Sequence, residues 1–137
     1  MTHVVQRRYV PYSEVHYAGG LVDGGYVMRL FGELATEISI LSAGDEGLLA
    51  AYESVTFHAP VIAGDIIEVD GDIVAAGRRS RRLSLRARVT ARSAGDGTSA
   101  ARQLGEPLLV ASAIAVLVVP ETGGTLPAEL VGTDAGA

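Results

Sequence analysis

The chain has 137 residues, the size of one domain, and its 48% hydrophobic and 20% charged content is sufficient for a packed core. It contains no cysteine, which excludes disulfides, zinc–thiolate sites and a cysteine nucleophile. All eleven basic residues are arginine, and the absence of lysine excludes Schiff-base chemistry and a P-loop lysine. The net charge of −5 argues against a general nucleic-acid-binding protein.

The hydropathy pattern predicts a cytoplasmic protein without a membrane span. No apolar run reaches the length of about 18 residues that a bilayer-spanning helix needs. The N-terminal sequence MTHVVQRRYV also lacks the apolar stretch of a secretory signal.

A strand and a loop are predicted before the one long helix of the chain. Residues 3–10 form the strand, and residues 11–21, which include Pro11, form the loop. From Asp23 onward, apolar residues recur at helical spacing, which predicts about five turns that end near Gly44. The apolar stripe consists of Val27, Leu30, Phe31, Leu34, Ile38 and Leu41.

The first turn of this helix combines an acidic residue with two glycines. Asp23 is placed to cap the helix, and Gly24 and Gly25 open it. On the polar face, Arg29 and Glu33 are four residues apart and are expected to form an ion pair.

The remainder of the chain predicts four strands separated by turns. In the third strand, Leu83, Leu85, Ala87 and Val89 alternate with polar residues, which indicates an antiparallel sheet with one face in water. Residues 93–106 are predicted to form a mobile hairpin loop, and the last strand is nearly all apolar and therefore central. The four strands are predicted over residues 48–58, 66–75, 81–92 and 108–119.

One long helix followed by four sequential strands favours a sheet that curls. Only a curled antiparallel sheet can surround the apolar stripe of a single helix. We therefore predict an α+β hotdog fold for residues 1–120, with the curled antiparallel sheet wrapped around one long central helix. Residues 121–137, rich in glycine, threonine and proline, are predicted to form a flexible C-terminal tail.

Two stretches of the sequence resemble the signatures of hotdog-fold acyl-thioester enzymes. HYAGGLVDGGYVMRLFGELATE, from His16 to Glu37, is similar to their loop and helix. VTFHAPVIAGD, from Val55 to Asp65, is similar to their aromatic strand, Pro-Val pair and Gly-Asp turn. Within that superfamily, the words HYAG, LVDG, FGE and ATE look closest to the β-aminoacyl-CoA (3-aminobutyryl-CoA) ammonia-lyases and to the hotdog enzymes of isonitrile lipopeptide biosynthesis.

This resemblance implies chemistry at the β-carbon of an acyl thioester held by coenzyme A or by an acyl carrier protein. An amine, either ammonia or glycine, adds to an enoyl thioester in a Michael-type reaction, or leaves in the reverse direction. No separate cofactor is implied, because coenzyme A or phosphopantetheine is part of the substrate. No metal site is expected either, because three scattered histidines without cysteine do not form a recognisable ligand set.

One departure from the thioesterase pattern bears on the type of reaction. In common acyl-CoA thioesterases a helix aspartate follows the Gly-Gly pair by seven residues, and the same count from Gly25 arrives at Gly32. The acid stands one position later, at Glu33, so the thioesterase aspartate has no direct counterpart. The lyase is therefore favoured, with an acyl-CoA or acyl-carrier-protein thioesterase as the alternative and a non-catalytic acyl-thioester binding protein as the second alternative.

Amine addition requires a donor for the thioester oxygen and a group that transfers protons. The amides of Gly24 and Gly25 are predicted oxyanion donors, because they open the helix at the positive end of its dipole. His16, Asp23 and Glu33 are the predicted catalytic residues. Histidine has an ordinary pKa of about 6.5, which suits proton transfer near neutrality. Two neighbouring carboxylates would raise the pKa of one of them toward the same range.

Each of these candidates also has a structural explanation. His16 can be a loop histidine bonded to the backbone, Asp23 can be only the helix cap, and Glu33 can be only the surface partner of Arg29. The residues around them can likewise belong either to the site or only to the structure.

Further residues are assigned to the substrate pocket or to the structure. Tyr12, Tyr17 and Glu37 are predicted to line the pocket, although interface packing suits the tyrosines equally well. For His58, which ends a strand before Pro60, a structural role is favoured.

Seven of the eleven arginines lie between Arg78 and Arg92, and two interpretations stand side by side. The first is a docking patch for the phosphates of coenzyme A or for an acidic carrier protein. Nucleic acid is not indicated, because no aromatic residues are interleaved with the run. The predicted phosphate contacts are those of the RRSRR turn: Arg78, Arg79, Arg81 and Arg82.

The second interpretation is a cross-strand ladder of ion pairs. Acidic residues alternate on the preceding predicted strand and face the same side as the arginines. The ladder would join Glu68, Asp70 and Asp72 to Arg82, Arg86 and Arg88.

Self-association is expected from the fold. A lone hotdog domain exposes a sheet edge and the apolar flank of its helix, and pairing two sheets edge to edge covers both. We predict a homodimer with C2 symmetry or a higher homo-oligomer, and the resemblance implies active sites shared between subunits.

Overall fold

The fold is built around one helix whose buried residues recur every three or four positions. In the computed structural model, which describes residues 3–120, helix α1 spans Gly24–Ala43. It ends at Gly44, whose left-handed backbone (φ 67°) donates its amide to the carbonyl of Ile40. The predicted apolar stripe is confirmed except at Leu41, which is 63% exposed. The buried residues of α1 are Tyr26, Val27, Leu30, Phe31, Leu34, Ala35, Ile38 and Ser39.

Five long antiparallel strands curl around this helix. They are β1 His3–Tyr9, β4 Leu48–Phe57, β6 Ile66–Ala76, β7 Ser80–Ser93 and β8 Ala101–Val118. Their spatial order is β1-β6-β7-β8-β4, so β7 is central and β8 lies between β7 and β4. The predicted architecture and the internal position of the last strand are both confirmed.

The two faces of the sheet differ as the alternation in β7 predicts. Leu83, Leu85, Ala87 and Val89 are fully buried against the helix, while the arginines between them lie on the outer face. Burial of these apolar side chains against α1 supplies the main stabilisation of the fold.

The predicted loop over residues 11–21 is wrong in part, because it contains regular structure. A 3-10 helix spans Tyr12–Glu14, and two short strands follow. These strands, β2 Val15–Tyr17 and β3 Leu21–Val22, form a second antiparallel sheet with β5 Val61–Ile62. Pairing with a distant segment creates this sheet, and strands of two or three residues have no periodicity of their own.

The predicted hairpin loop over residues 93–106 is also too long. Strand β8 already begins at Ala101, which pairs with Ser93. Between the pairs Ala91–Gln103 and Val89–Leu108, β8 advances five residues while β7 advances two, so β8 carries three extra residues there. The polar sequence before Leu108 is typical of a loop, but pairing with the end of β7 makes it a strand.

The polar face of α1 also differs from the prediction. Arg29 does not pair with Glu33; its Nη2 atom donates to Glu14 Oε1 at 2.5 Å. Glu33 instead lies 3.3 Å from Nη2 of Arg8. Because β1 and the 3-10 helix contribute charged side chains beside this face, partners from other elements replace the partner along the helix.

Some predictions fall outside what the structure describes. The predicted C-terminal tail, residues 121–137, lies beyond the described residues. Within residues 3–120, no helix is long and apolar enough to cross a membrane.

Candidate functional site

A cavity of about 460 Å³ lies at the N-terminal end of α1. The start of the helix, the end of β4 and strand β5 form its walls. Three ionisable side chains line it: Tyr17, Asp23 and His58. The remaining lining is backbone or apolar and comprises Leu21, Val22, Gly24, Val27, Phe57, Ala59, Pro60, Val61 and Val110. Such an apolar cavity with few polar groups is the usual form of a small-molecule site.

Asp23 occupies the N-cap position, but its side chain does not cap the helix. Its backbone is extended (φ −77°, ψ 162°), and its carboxylate makes no capping hydrogen bond. Within residues 3–120 this half-buried carboxylate has no other hydrogen bond or ion pair. The predicted cap is therefore wrong in its hydrogen bond, and the carboxylate is available to a cationic group in the cavity.

The two glycines after Asp23 leave room for the side chains that pack around them. A Cβ atom on Gly24 would lie 2.6 Å from Cζ of Phe57, and a Cβ atom on Gly25 would lie 2.9 Å from Oδ2 of Asp23. Glycine therefore lets the phenyl ring and the carboxylate approach the helix start. The amides of the first turn have no acceptor within the helix, so that of Gly24, which lines the cavity, is suited to bind an oxyanion.

His16 borders the cavity without lining it. It lies in β2 and packs edge-on against Tyr17, with ring centroids 4.7 Å apart and planes at 85°. Its exposed ring makes no hydrogen bond to any residue that the structure describes, so the alternative of a backbone-bonded loop histidine is not observed.

Three predicted site residues lie away from this cavity within the subunit. Glu33 follows Gly24 by nine residues, which places it about 14 Å farther along the helix. Glu37 accepts a hydrogen bond of 2.5 Å from Nε2 of Gln6 on β1. Tyr12 is 66% exposed, and its hydroxyl lies beside Gly64 instead of the cavity.

His58 lines the cavity, although its position before Pro60 in the sequence favours a structural role. Its amide donates to the carbonyl of Val110 at 2.8 Å, and its Nε2 atom lies 2.8 Å from Oγ of Ser112. Its neighbour Phe57 could have identified it, because β4 ends at this aromatic residue and the ring contacts the first turn of the helix.

A buried ion pair anchors the part of the cavity wall that contains Pro60 and Val61. Asp65 is fully buried, and its two carboxylate oxygens accept from Nε and Nη2 of Arg92 at 3.0 and 2.9 Å. Oδ2 also accepts from the amide of Ile62 at 2.8 Å, and Arg92 donates to the carbonyl of Pro60 at 3.0 Å. This pair therefore fixes the segment that contributes Pro60 and Val61 to the cavity.

The outer side of β7, which carries Arg82, Arg86, Arg88 and Arg92, is called the arginine face below. Arg86 donates to Asp70 and Asp72 at 2.8 and 2.7 Å, and Arg88 donates to Asp70 at 2.8 Å, which confirms the central part of the predicted ladder. These contacts also change ionisation, because the hydrogen bond from Arg86 lowers the pKa of Asp72.

Two pairs of the predicted ladder are wrong. Arg82 donates to Glu53 on β4, and Glu68 is bound by Arg7 on β1 at 2.7 Å. Arg82 and Glu68 lie at the two ends of the predicted ladder. There, Glu53 of β4 and Arg7 of β1 supply the partner instead. The hydrogen bond that Arg82 donates to Glu53 raises the pKa of Arg82.

The RRSRR turn lies at the other end of the sheet from the cavity. Arg81 donates to the carbonyls of Gly77 and Ser80 in its own turn, and Arg78 and Arg79 are exposed. A second cavity of about 320 Å³ lies beside Arg81 and Val116. Val116 follows Val110 by six residues, so about 20 Å separates the two cavities along β8.

In the part of the chain that the structure describes, no group of three or more His, Asp or Glu side chains is arranged to hold a metal ion.

The sequence and the fold match known proteins over most of the chain. Residues 19–100 match the thioesterase superfamily. The chain is 46% identical over 109 residues to 3-aminobutyryl-CoA ammonia lyase of Acetoanaerobium sticklandii, covering 79% of this chain and 86% of that protein. Its fold matches β-alanyl-CoA:ammonia lyase from Clostridium propionicum with a TM-score of 0.83 and 27% identity, over 88% of this chain and 86% of that one.

A more distant match shows the fold alone. A hexameric hotdog fold thioesterase of Campylobacter jejuni superposes with a TM-score of 0.68 and 20% identity, over 92% of this chain and 90% of that one. The sequence matches and the curled sheet around α1 agree, and the chain belongs to the thioesterase superfamily with the hotdog fold.

Proposed function

We propose that this protein is a carbon–nitrogen lyase that eliminates an amine from the β-carbon of an acyl-CoA thioester and also catalyses the reverse addition. The observation that carries the proposal is the unpaired carboxylate of Asp23 beside the amide of Gly24 in an apolar cavity. The 46% identity to an ammonia lyase bears out the lyase class predicted from the sequence.

Asp23 and Gly24 match the two charges of such a reaction. A β-aminoacyl thioester carries an ammonium on C3 and develops negative charge on its thioester oxygen as the C2 proton leaves. The carboxylate of Asp23 attracts the ammonium, and the amide of Gly24 stabilises the enolate oxygen. Thioester hydrolysis involves no ammonium, so this pairing favours the lyase over the thioesterase.

His16 and Glu33 lie at different distances from the cavity of their own subunit. His16 can act from the border of the cavity by a movement of its side chain past Tyr17. Glu33 is too far from the cavity of its own subunit, so a role for it requires the cavity of a second subunit. Glu33 therefore belongs to the proposal only together with an oligomer.

We propose that the oligomer forms through strand β4. Among the described strands, β4 pairs only with β8, so its other edge carries free backbone groups. Leu48 at its start and Phe57 at its end are 72% and 53% exposed, and Leu41 of α1 adds further apolar surface. A C2 dimer through this edge covers these groups, and the hexameric C. jejuni thioesterase supports further assembly.

The carrier and the amine complete the proposal. Coenzyme A is favoured as the carrier, with an acyl carrier protein as the alternative, and ammonia is favoured over glycine. Glycine on a carrier protein would place the enzyme in isonitrile lipopeptide biosynthesis. We assign the phosphates of either carrier to the RRSRR turn, where Arg79 is exposed and Arg81 borders the second cavity. The proposed location of the enzyme is the cytoplasm.

The deciding experiment is mass spectrometry of crotonyl thioesters on coenzyme A and on a carrier protein, incubated with the enzyme and either ammonia or glycine. An intact thioester that gains the mass of the amine supports the lyase and identifies both carrier and nucleophile. Free crotonate with released thiol would replace the proposal by the thioesterase. Thermal stabilisation by the thioester without either product would indicate a binding protein.

The phosphate assignment has its own test. Replacing Arg79 and Arg81 together by alanine is expected to raise KM for a coenzyme A thioester about tenfold and to leave KM for the corresponding pantetheine thioester unchanged. The matched control is Arg7→Ala, an exposed arginine of β1 that pairs with Glu68. Equal KM values for wild type and the double variant would contradict the assignment.

A further inference from the structure

Of the three ionisable side chains that line the cavity, His58 has no role in the reaction described above. It follows Phe57, whose ring contacts Gly24, so it lies on the strand end that meets the first turn of the helix. Two backbone hydrogen bonds to the carbonyl of Val110, from the amides of His58 and Ala59 at 2.8 and 3.4 Å, hold this position on β8.

The imidazole of His58 is oriented through one of its nitrogens only. Nε2 lies 2.8 Å from Oγ of Ser112, which is half-buried on β8. Nδ1 has no hydrogen bond to any residue between 3 and 120. A ring that is anchored at one nitrogen and unbonded at the other has the arrangement of a proton-transfer histidine, in which one bond fixes the ring orientation and the other nitrogen reacts. Nδ1 is the basic nitrogen in the tautomer whose Nε2–H donates to Oγ of Ser112.

The other polar groups near the cavity are less suited to remove a proton from C2. Asp23 is occupied by the substrate ammonium, and the phenol of Tyr17 is a weak base at neutral pH. His16 does not line the cavity.

We propose that His58 is the catalytic base that removes the C2 proton of the β-aminoacyl thioester, with Ser112 as the residue that positions its ring. This inference rests on the proposed lyase function. Nδ1 of the neutral imidazole takes the proton, and the C2 electron pair moves into the enolate held by Gly24. As the enolate collapses, the double bond forms between C2 and C3, the C3–N bond breaks, and ammonia leaves.

The proton balance closes within the cavity. The imidazolium of His58 gives its proton to the departing ammonia, which leaves as ammonium, and the neutral base is restored. In the direction of addition the same groups act in reverse, so His58 first accepts a proton from ammonium and then delivers it to C2. No oxidant, metal or further reactant is needed.

The test is exchange of the C2 hydrogen of 3-aminobutyryl-CoA with D2O, followed by mass spectrometry alongside ammonia release. His58→Gln is expected to lower both rates at least about a hundredfold with little change in KM, because glutamine keeps the shape but not the base. In His58→Ala, added imidazole is expected to restore exchange in proportion to its concentration. Glutamine fills the same space, so His58→Gln should not be rescued.

Two further variants separate catalysis from structure. Ser112→Ala keeps the base but removes its anchor, so exchange is expected to fall about tenfold, less than in His58→Gln. His3→Gln is the matched control, because His3 bonds to Asp72 on the far edge of the sheet and should exchange at the wild-type rate. Thermal melting of each variant shows whether it is folded.

The outcomes distinguish this inference from the function on which it rests. Exchange within about threefold of wild type in His58→Gln would overturn the role of His58 while leaving the lyase intact, as would loss without imidazole rescue in a folded His58→Ala. If both His58 variants fail to fold, unchanged exchange in Ser112→Ala overturns it instead. Thiol release without exchange by the wild-type enzyme removes the lyase itself.

Discussion

The cavity at the start of α1 and the arginine face of β7 differ in whether their polar side chains have partners within the protein. In the cavity, Asp23 and Nδ1 of His58 have no protein partner among residues 3–120. On the arginine face, Arg86, Arg88 and Arg92 are each bound to at least one carboxylate. The conspicuous run of charge in the sequence is thus largely structural, whereas the isolated acid in the LVDG word, Asp23, lines the cavity without a partner among residues 3–120.

This difference has a physical origin in where each charge lies. Arginines that alternate along a strand stand beside the residues of the next strand, so acidic residues at matching positions neutralise them. Asp23 precedes a helix whose first two residues are glycines, and no side chain among residues 3–120 pairs with its carboxylate. We therefore expect substitutions on the arginine face to cost stability and substitutions in the cavity to cost activity.

The largest expected effect is on the buried pair of the arginine face. Arg92→Met leaves the fully buried carboxylate of Asp65 without its partner, which should lower the free energy of unfolding by about 3–5 kcal/mol. Urea unfolding measures this directly. Arg7→Met, whose arginine is 69% exposed, is the control and should cost less than about 1 kcal/mol. Similar losses in the two variants would contradict a structural role for Arg92.

The converse is expected in the cavity. Asp23→Asn should lower kcat/KM for amine release on the order of a hundredfold, because the amide cannot neutralise the substrate ammonium. The melting temperature should hardly change, since the carboxylate makes no capping bond and asparagine is equally suited to the N-cap. Steady-state kinetics and thermal melting test both parts, with Asp96→Asn on the distant β7–β8 turn as the control. A large loss of stability with full activity would reverse our comparison.

A smaller effect on both quantities is expected at Gly24. An added Cβ would lie 2.6 Å from Cζ of Phe57, so Gly24→Ala should displace the ring, cost about 1–3 kcal/mol and lower activity roughly tenfold. Phe57→Leu in the same chain should restore part of both. In contrast, a Cβ on Gly32 meets nothing within 4 Å, and Gly32→Ala should stabilise the helix by about 0.5–1 kcal/mol. If Phe57→Leu restores neither stability nor activity in the Gly24→Ala variant, contact with the ring of Phe57 is not the cause of the loss.

The smallest effect concerns acid stability of the arginine face. The hydrogen bond from Arg86 lowers the pKa of Asp72 below its ordinary value of 3.8, and bonding to His3 acts in the same direction. The folded protein therefore releases this proton more readily than the unfolded chain, so the stabilisation is present above about pH 4 and is lost as the pH falls through the folded pKa. The difference in melting temperature between wild type and Asp72→Asn should accordingly shrink below about pH 4. A difference that is independent of pH would contradict this.

The elements with long periodic patterns could be predicted from the sequence. The stripe of α1 and the alternation of β7 each involve many residues with one spacing, so burial dictates their structure. The short strands β2, β3 and β5 could not be predicted, because two or three residues carry no period. The start of β8 at Ala101 was missed for a related reason: its polar sequence pairs with Ser93 through the backbone, which composition does not reveal.

Only part of the site could be predicted from the sequence. Residues that are neighbours along the chain were found together, whereas residues brought in by contacts between distant elements were not. The helix start with Asp23 and Gly24 belongs to one continuous sequence word, and the structure places both residues in the cavity. His58 was assigned to the structure, because its place in the cavity depends on where β4 ends against the helix. The pairing of Glu33 with Arg8 likewise depends on β1 crossing the helix, and spacing along α1 pointed to Arg29 instead.

The arginine face has a consequence for the chemical durability of the protein. Enoyl thioesters are electrophiles, and thiols and unprotonated amines of proteins are alkylated by such compounds. A guanidinium stays protonated at neutral pH and offers no free electron pair, so it is inert toward them. These 137 residues include neither cysteine nor lysine. The arginine face and the RRSRR turn can therefore carry guanidinium groups without reacting irreversibly with the unsaturated product.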